Sequence, residues 1–226
     1  MRKGTECLAL TSTALAWYIP TGRFMKTARA ESPTKEKLLD AAQRLMLAKG
    51  FPATTVEEIC ETAGLTKGSF FHYFESKDDL GKAVLDRCAG QGLAMFESAL
   101  FHRQSDPLKR IVASIDFWID LINDPSTECG CLLGNFAQEL SDTHPEIRAQ
   151  CARHFDRWTQ MLKRDFDEAK SAYRPRARID TQGLAEHYVA VVEGALLLAK
   201  VKRDRKVFER NLSHLKRYVR SVFEGG

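Results

Sequence analysis

Hydrophobic residues recur at helical spacing through nearly all of the chain after residue 32. Apolar side chains three and four positions apart line one face of an α-helix, whereas a half-buried strand alternates every second residue. No sustained alternation of β-branched residues and no Asn-Gly or Asp-Gly hairpin turn interrupts this spacing. The sequence therefore predicts an all-α fold.

The composition indicates a folded protein with a mildly basic balance. Hydrophobic residues make up 44% of the 226 residues, which is enough for a packed core, and the formal net charge is +4. That charge permits a nucleic-acid partner without requiring one. No Gly-x-Ser-x-Gly elbow, Walker loop, dinucleotide fingerprint or paired-carboxylate arrangement is present, so no enzyme activity is expected.

Residues 1–31 are predicted to be a disordered extension or a mis-annotated start. The weakly apolar stretch 7–19 follows two basic residues and mimics a short signal peptide, but Thr11, Ser12 and Thr13 interrupt it. It is also too short and polar to span a bilayer. Met25 is the alternative first residue, and a cytoplasmic protein without a membrane partner is expected on that interpretation.

Short helices with strong boundary signals follow. A helix is expected to begin at Ser32-Pro33 and to end at Lys49-Gly50. Thr55 and Glu58 form the pattern of a capping box for a second helix, which Gly64 ends. A third helix is expected over 67–74 and a fourth from 77 to about 100. Two short helices joined by a tight glycine turn describe a helix-turn-helix, and we assign residues 32–92 to a DNA-binding domain.

This segment resembles the TetR family of transcriptional regulators. The resemblance is carried by TVEEICETAGLTKGSFFHYF at 55–74 and SKDDL at 76–80. It implies that the third helix enters the major groove of operator DNA. The residues implied to lie at the DNA are Thr55, Thr66, Lys67, Gly68, Ser69, Phe71, His72, Tyr73 and Lys77.

Within that set the implied roles differ. Lys67, Ser69 and His72 would face the bases, and Gly68 would let the backbone come close. Thr55 and Lys77 would hold phosphates, as would the Tyr73 hydroxyl. Phe71 stands where many family members have tyrosine, whereas Phe70 and Phe74 are interpreted as core residues.

Residues 93–226 are predicted to form a larger helical regulatory and dimerisation domain. The stretch from Val189 to Leu198 is apolar on more than one face, so a single core side cannot bury it. The resemblance implies a homodimer formed through the last two helices; the alternative is a central helix in a monomer core. Five aromatic residues are candidates for lining an effector cavity, namely Trp118, Phe136, Phe155, Trp158 and Tyr188.

The six cysteines form no Cys-x-x-Cys pair, so neither a metal site nor another cofactor is expected. Cys131 precedes a helix N-terminus, which would lower its pKa and favour the thiolate. Its Gly-Cys-Leu context resembles a TetR subgroup that senses electrophiles or oxidants, with Lys200 as the nearby cation and Cys129 as a resolving thiol. The alternative is that Cys131 is a small buried hydrophobic residue.

Three functional hypotheses therefore remain open. The first is a repressor that a small effector, or modification of Cys131, releases from operator DNA. The second is a TetR-type regulator with a reversible hydrophobic ligand and inert cysteines. The third is a helical adaptor that does not bind DNA, which predicts no salt-dependent affinity for DNA.

Overall fold

A computed structural model describes residues 32–125, 127 and 130–224. Within these residues the chain forms nine α-helices, one short 3-10 helix and no strand, which confirms the all-α prediction. The predicted extension at 1–31 and the proposed resolving thiol Cys129 lie outside the described residues. The elements are α1 (Pro33–Lys49), α2 (Val56–Ala63), α3 (Lys67–Tyr73), α4 (Lys77–Ser98), a 3-10 turn (Leu100–Arg103), α5 (Pro107–Asn123), α6 (Leu132–Leu140), α7 (Pro145–Tyr173), α8 (Thr181–Lys202) and α9 (Arg205–Glu224).

Local signals set the boundaries of the helix-turn-helix as predicted. The Thr55 hydroxyl accepts from the Glu58 N–H, and the Glu58 carboxylate accepts from the Thr55 N–H at 2.9 Å. Gly64 ends α2 in the left-handed conformation (φ 66°), which glycine adopts without steric cost. Thr66 and Ser76 cap α3 and α4 through their side chains.

The start of α1 differs from the expectation. Ser32 occupies the position before the first helical residue, but its side chain makes no capping bond. Its hydroxyl instead lies 2.7 Å from the hydroxyl of Tyr73 on α3. Pro33, with its backbone dihedral already fixed near the helical value, starts the helix without the cap.

The described residues pack into two hydrophobic cores. The first joins α1–α4 around Leu38, Ile59 and Phe70, and it continues into α6 and α7 through Phe136 and Ile147. The predicted domain boundary at 92 falls inside α4, and α6 packs against the DNA-binding helices. The second core joins α5 and α7–α9. Among the helices described, none has enough apolar length to cross a lipid bilayer.

Candidate DNA-binding surface and effector cavity

Helix α3 presents one face to solvent and buries the other. Phe70 and Phe74 are 0% and 3% exposed, as expected for core residues, whereas Phe71 is 58% exposed. Lys67 and His72 are also exposed. A seven-residue helix is not stable alone, so burial of its two phenylalanines fixes the direction of this polar edge.

The N-terminus of α3 is an open backbone surface with two hydroxyls beside it. Thr66 Oγ1 accepts from the Ser69 N–H at 3.2 Å and lies 3.1 Å from the Ser69 hydroxyl. A Cβ added at Gly68 would meet only Thr66 Oγ1, at 3.6 Å. The backbone at Gly68 is therefore open to the approach of a large partner.

A carboxylate that sequence reasoning did not single out lies on this surface. Glu57 of α2 forms an ion pair with Lys67, and both side chains are more than half exposed. The hydrogen bond from Lys67 lowers the pKa of Glu57. A phosphate that binds Lys67 must therefore compete with Glu57.

Three of the predicted phosphate contacts already have partners inside the protein. The Lys77 ammonium group donates to the carbonyls of Phe51 and Thr54 at 3.1 and 3.0 Å and lies 4.4 Å from the centroid of the Phe51 ring. Tyr73 pairs with Ser32, as described above. The Thr55 hydroxyl is exposed but donates to Glu58 at 3.0 Å. The long-range partners of Lys77 and Tyr73 are not readable from the motif, whereas the Thr55–Glu58 contact belongs to the predicted capping box.

A cavity of about 430 Å³ lies where the DNA-binding helices meet the regulatory helices. Its walls include the Trp118 and Trp158 rings, whose centroids are 5.5 Å apart and tilted by 51°. Leu47 of α1 and Phe96 of α4 also line it. A molecule bound here would touch helices of both functional regions.

Only two of the five predicted cavity aromatics, Trp118 and Trp158, line this space. Phe136 is fully buried in the N-terminal core, with its ring centroid 5.4 Å from that of Phe51. Tyr188 is fully buried in the C-terminal core with its hydroxyl 3.0 Å from that of Ser114, and Phe155 packs against the same core. Periodicity marks an apolar helix face but does not distinguish packed core from cavity wall.

Cys131 caps α6, and its environment favours the protonated thiol. Its Sγ accepts from the Gly134 N–H at 3.4 Å, a contact that lowers the pKa as expected at a helix N-terminus. Burial first, and then the adjacent Glu193, raise the pKa of Cys131 well above its ordinary value and outweigh that contact. The expectation of a lowered thiol pKa is therefore wrong for this conformation.

Glu193 of α8 is the residue that sequence reasoning missed here. Cys131 and Glu193 line both the large cavity and a neighbouring cleft of about 250 Å³, which Lys200 also lines. A Cβ at Gly134 would fall 2.4 Å from Glu193 Oε2, so glycine leaves the space that the carboxyl group occupies. Burial raises the pKa of Glu193. No local signal links positions 134 and 193.

Helix α6 connects this thiol to the DNA-binding helices. At its far end, Glu139 Oε2 accepts from the Phe51 N–H at 2.8 Å, just beyond the end of α1. A Cβ at Gly50 would lie 2.6 Å from Glu139 Oε1, so this approach also requires glycine. Phe136 packs on Phe51 in between.

No cluster of three or more potential metal ligands occurs among the described side chains.

An outward third helix on a helix-turn-helix scaffold, joined to a helical domain beside a cavity, defines a helix-turn-helix transcriptional regulator. Matches of the chain to two family models assign this regulator to a particular family. The family model for bacterial regulatory proteins of the tetR family matches residues 38–84. The model for the tetracyclin repressor-like C-terminal domain matches residues 107–215. The chain belongs to the TetR family of transcriptional regulators, and its relatives are regulators rather than enzymes.

Individual relatives agree with this assignment. The chain is 27% identical to the HTH-type transcriptional repressor DhaR of Mycobacterium sp. (strain GP1) over 184 residues, covering 81% of this chain and 91% of that protein. The crystal structure of the reduced form of E. coli NemR matches with a TM-score of 0.73 at 26% identity, covering 82% of this chain and 96% of that chain. The regulatory protein TetR from Rhodobacter sphaeroides also matches with a TM-score of 0.73 at 26% identity, over 82% of this chain and 98% of that chain.

Proposed function

We propose that this chain is a repressor that binds operator DNA as a homodimer and leaves it when the cavity is filled or Cys131 is modified. The outward polar edge of α3 is the observation that carries the DNA-binding part. Lys67, Ser69 and His72 are the base-reading side chains, and the α3 backbone at Gly68 approaches the duplex. Such a protein acts in the cytoplasm, where its operator is.

Phosphate contacts in this proposal come mainly from helix N-termini. The exposed N-terminal end of α2 at Thr55 and the N-terminal end of α3 at Thr66 provide backbone N–H groups beside hydroxyls. Lys77 and Tyr73 contribute by fixing the scaffold, and each also keeps donor or acceptor capacity for a phosphate. The Phe71 ring, without a hydroxyl, offers only apolar contact.

The proposed dimer surface is an uncovered stripe along α8. Leu197, Leu198 and Val201 are 47%, 44% and 74% exposed, and they lie on one helix face with Gly194. A Cβ at Gly194 would meet no atom within 4 Å, so a second helix can approach there. Tyr218 of α9, 46% exposed, extends the stripe. A recognition helix of seven residues reads too few bases alone, which favours two copies on DNA.

The dimer is tested by placing a charge in the stripe. Val201→Glu should yield a monomer in sedimentation velocity and abolish operator binding. Leu100→Glu is the matched control, because Leu100 is also exposed (68%) but belongs to the 3-10 turn. Equal dimerisation of both variants would contradict the proposed surface.

Helix α6 is the proposed connection between the sensing region and DNA. Cys131 and Glu193 lie at its N-terminus, and Glu139 holds the Phe51 N–H at its C-terminal end. A group attached to Cys131 occupies space that the packed N-terminus of α6 needs, so α6 must shift. The shift would weaken the Glu139 contact and change the spacing of the two α3 helices in the dimer.

The release mechanism is tested by gel shift on DNA from upstream of the chain's own coding sequence. N-ethylmaleimide, a quinone or methylglyoxal should release the wild-type protein, and Cys131→Ser should resist all three. A serine variant that responds like wild type would rule out the thiol switch. The solved structure of the relative NemR is described as a reduced form, which supports testing thiol state here.

The apolar cavity supports a second candidate, in which a hydrophobic ligand binds reversibly and the cysteines are inert. Two facing tryptophans and a volume of about 430 Å³ are typical of a site for one flat apolar molecule. Titration with flavonoids, fatty acids or drugs would then release DNA in both wild type and Cys131→Ser. Trp118→Ala should weaken that response.

A further inference from the structure

We propose that Glu193 is the proton acceptor for Cys131, and that the two side chains act as a dyad that adds to soft electrophiles reaching them from the cavity. This inference rests on the thiol form of the proposed function. It assigns a role to a half-buried carboxyl group that neither the DNA-binding surface nor the core explains.

The Glu193 carboxyl group lies beside the Cys131 side chain at the start of α6. A Cβ added at Gly134 would meet both Glu193 Oε2, at 2.4 Å, and Cys131 Cβ, at 3.6 Å, so the carboxyl group and the thiol side chain border the same small space, and Glu193 raises the pKa of Cys131. Glu193 forms no ion pair with any described residue, although both side chains line the cavity and the cleft. Gly134 leaves room for this approach, since any larger residue would displace the carboxyl group.

The charged and titratable groups around the dyad come from several helices. Those that line the two spaces are Asp86 and Cys88 of α4, Glu139 of α6, His154 and Arg157 of α7, and Lys200 of α8. The Asp86 carboxylate lies 2.8 Å from His154 Nε2, and the Glu139 carboxylate accepts a hydrogen bond from the Phe51 N–H. Burial raises the pKa of Cys88 to about 11, so this neighbour stays neutral. Glu193 is the carboxyl group that lies beside the Cys131 side chain and raises the pKa of its thiol.

Two adjacent acids in a partly buried site cannot both ionise readily, so once the pair has lost its first proton it carries one negative charge and one remaining proton. The charge resides on Glu193, because a carboxyl group is the stronger acid. When an electrophilic alkene enters, the thiol proton moves to Glu193 and the sulfur lone pair forms the S–C bond. The π electrons of the alkene shift to give an enolate, which takes a proton at carbon from the protonated Glu193, so the carboxylate is regenerated. The step is an addition, so it needs no oxidant and has no leaving group.

This dyad predicts a particular pH profile for alkylation of Cys131. Once Glu193 is ionised, the rate should be nearly independent of pH across the neutral range, because the pair keeps a constant number of protons. Without the acceptor, the rate should follow the thiolate fraction and rise tenfold per pH unit. General-base catalysis accelerates such steps by about 100-fold or more.

The experiment follows N-ethylmaleimide addition to Cys131 by mass spectrometry from pH 5.5 to 8.5, in the full chain with Cys129→Ser as background. Wild type should show the plateau, and Glu193→Gln should react about 100-fold more slowly at pH 7 with the tenfold rise per unit. Glu186→Gln is the control, because Glu186 lies on the same helix but is exposed. Thermal unfolding and operator binding verify that the variants are folded.

If Glu193→Gln does not fold, the pH profile of wild-type alkylation tests the dyad by itself. An alkylation rate of wild-type Cys131 that rises tenfold per pH unit overturns the dyad. Equal or faster alkylation of Glu193→Gln at pH 7 also overturns it while leaving the thiol switch intact. If Cys131 of the wild type is not alkylated at all, the thiol form of the proposed function fails as well. The three outcomes are therefore distinguishable.

Discussion

Replacing Glu139 with alanine removes the contact between α6 and the end of α1. The lost bond joins a carboxylate to the Phe51 N–H at 2.8 Å, and the Phe51 side chain is only 3% exposed. Hydrogen bonds to charged groups contribute about 1.5–3 kcal/mol, and the exposed Glu139 side chain places this one near the lower end. A loss of about 1.4 kcal/mol changes a two-state equilibrium by about tenfold.

The functional consequence depends on which state contains the bond. If the bond forms only in the DNA-competent state, Glu139→Ala lowers the operator affinity of untreated protein about tenfold per protomer and leaves that of N-ethylmaleimide-treated protein unchanged. The ratio of the two affinities, measured by fluorescence anisotropy, therefore falls about tenfold per protomer, or about 100-fold for a dimer. Gln138→Ala is the control, because among the described residues the Gln138 side chain donates within its own helix, to the Gly134 carbonyl. An equal loss in treated and untreated Glu139→Ala would refute the coupling through α6.

Three further predictions concern the DNA-binding helices. Glu57→Gln removes the ion-pair partner of Lys67 and a negative charge beside the duplex. Operator affinity in a filter-binding assay should therefore rise about fourfold for a dimer. A fall in affinity would contradict the outward role of Lys67. Phe71→Tyr should strengthen binding about fivefold per protomer through one added phosphate hydrogen bond, and an unchanged affinity would place residue 71 away from the backbone. Lys49 and the Thr55 backbone lower the pKa of Glu58 to about 2, so its contribution to stability is present above pH 4.5 and is lost as the pH falls towards 2. The difference in urea midpoint between wild type and Glu58→Gln should shrink over that range, and a constant difference would exclude this cause.

The helix-turn-helix was predictable because its determinants are local. Thr55 with Glu58, the left-handed Gly64, and the caps Thr66 and Ser76 each act within four residues. Their spacing therefore specifies the geometry without knowledge of the rest of the fold.

The sensing region was only partly predictable, since its geometry depends on contacts between distant positions. Cys131 was found because a helix begins directly after it, but its pKa is raised first by burial and then by Glu193, which belongs to another helix. Phe136 and Trp118 both follow helical spacing, yet one lies in a packed core and the other lines the cavity. Which apolar face meets a cavity is decided by how the helices pack, and periodicity does not encode that.

The central claim is that the outward edge of α3 binds in the groove of operator DNA, and salt dependence tests it most directly. Fluorescence anisotropy with the upstream duplex and with an unrelated duplex would be measured from 50 to 200 mM salt. About six phosphate contacts across a dimer predict an affinity for the upstream duplex that falls about 1,000-fold over that range and exceeds that for unrelated DNA at every salt concentration. A weak affinity that is the same for both duplexes and insensitive to salt would contradict the claim.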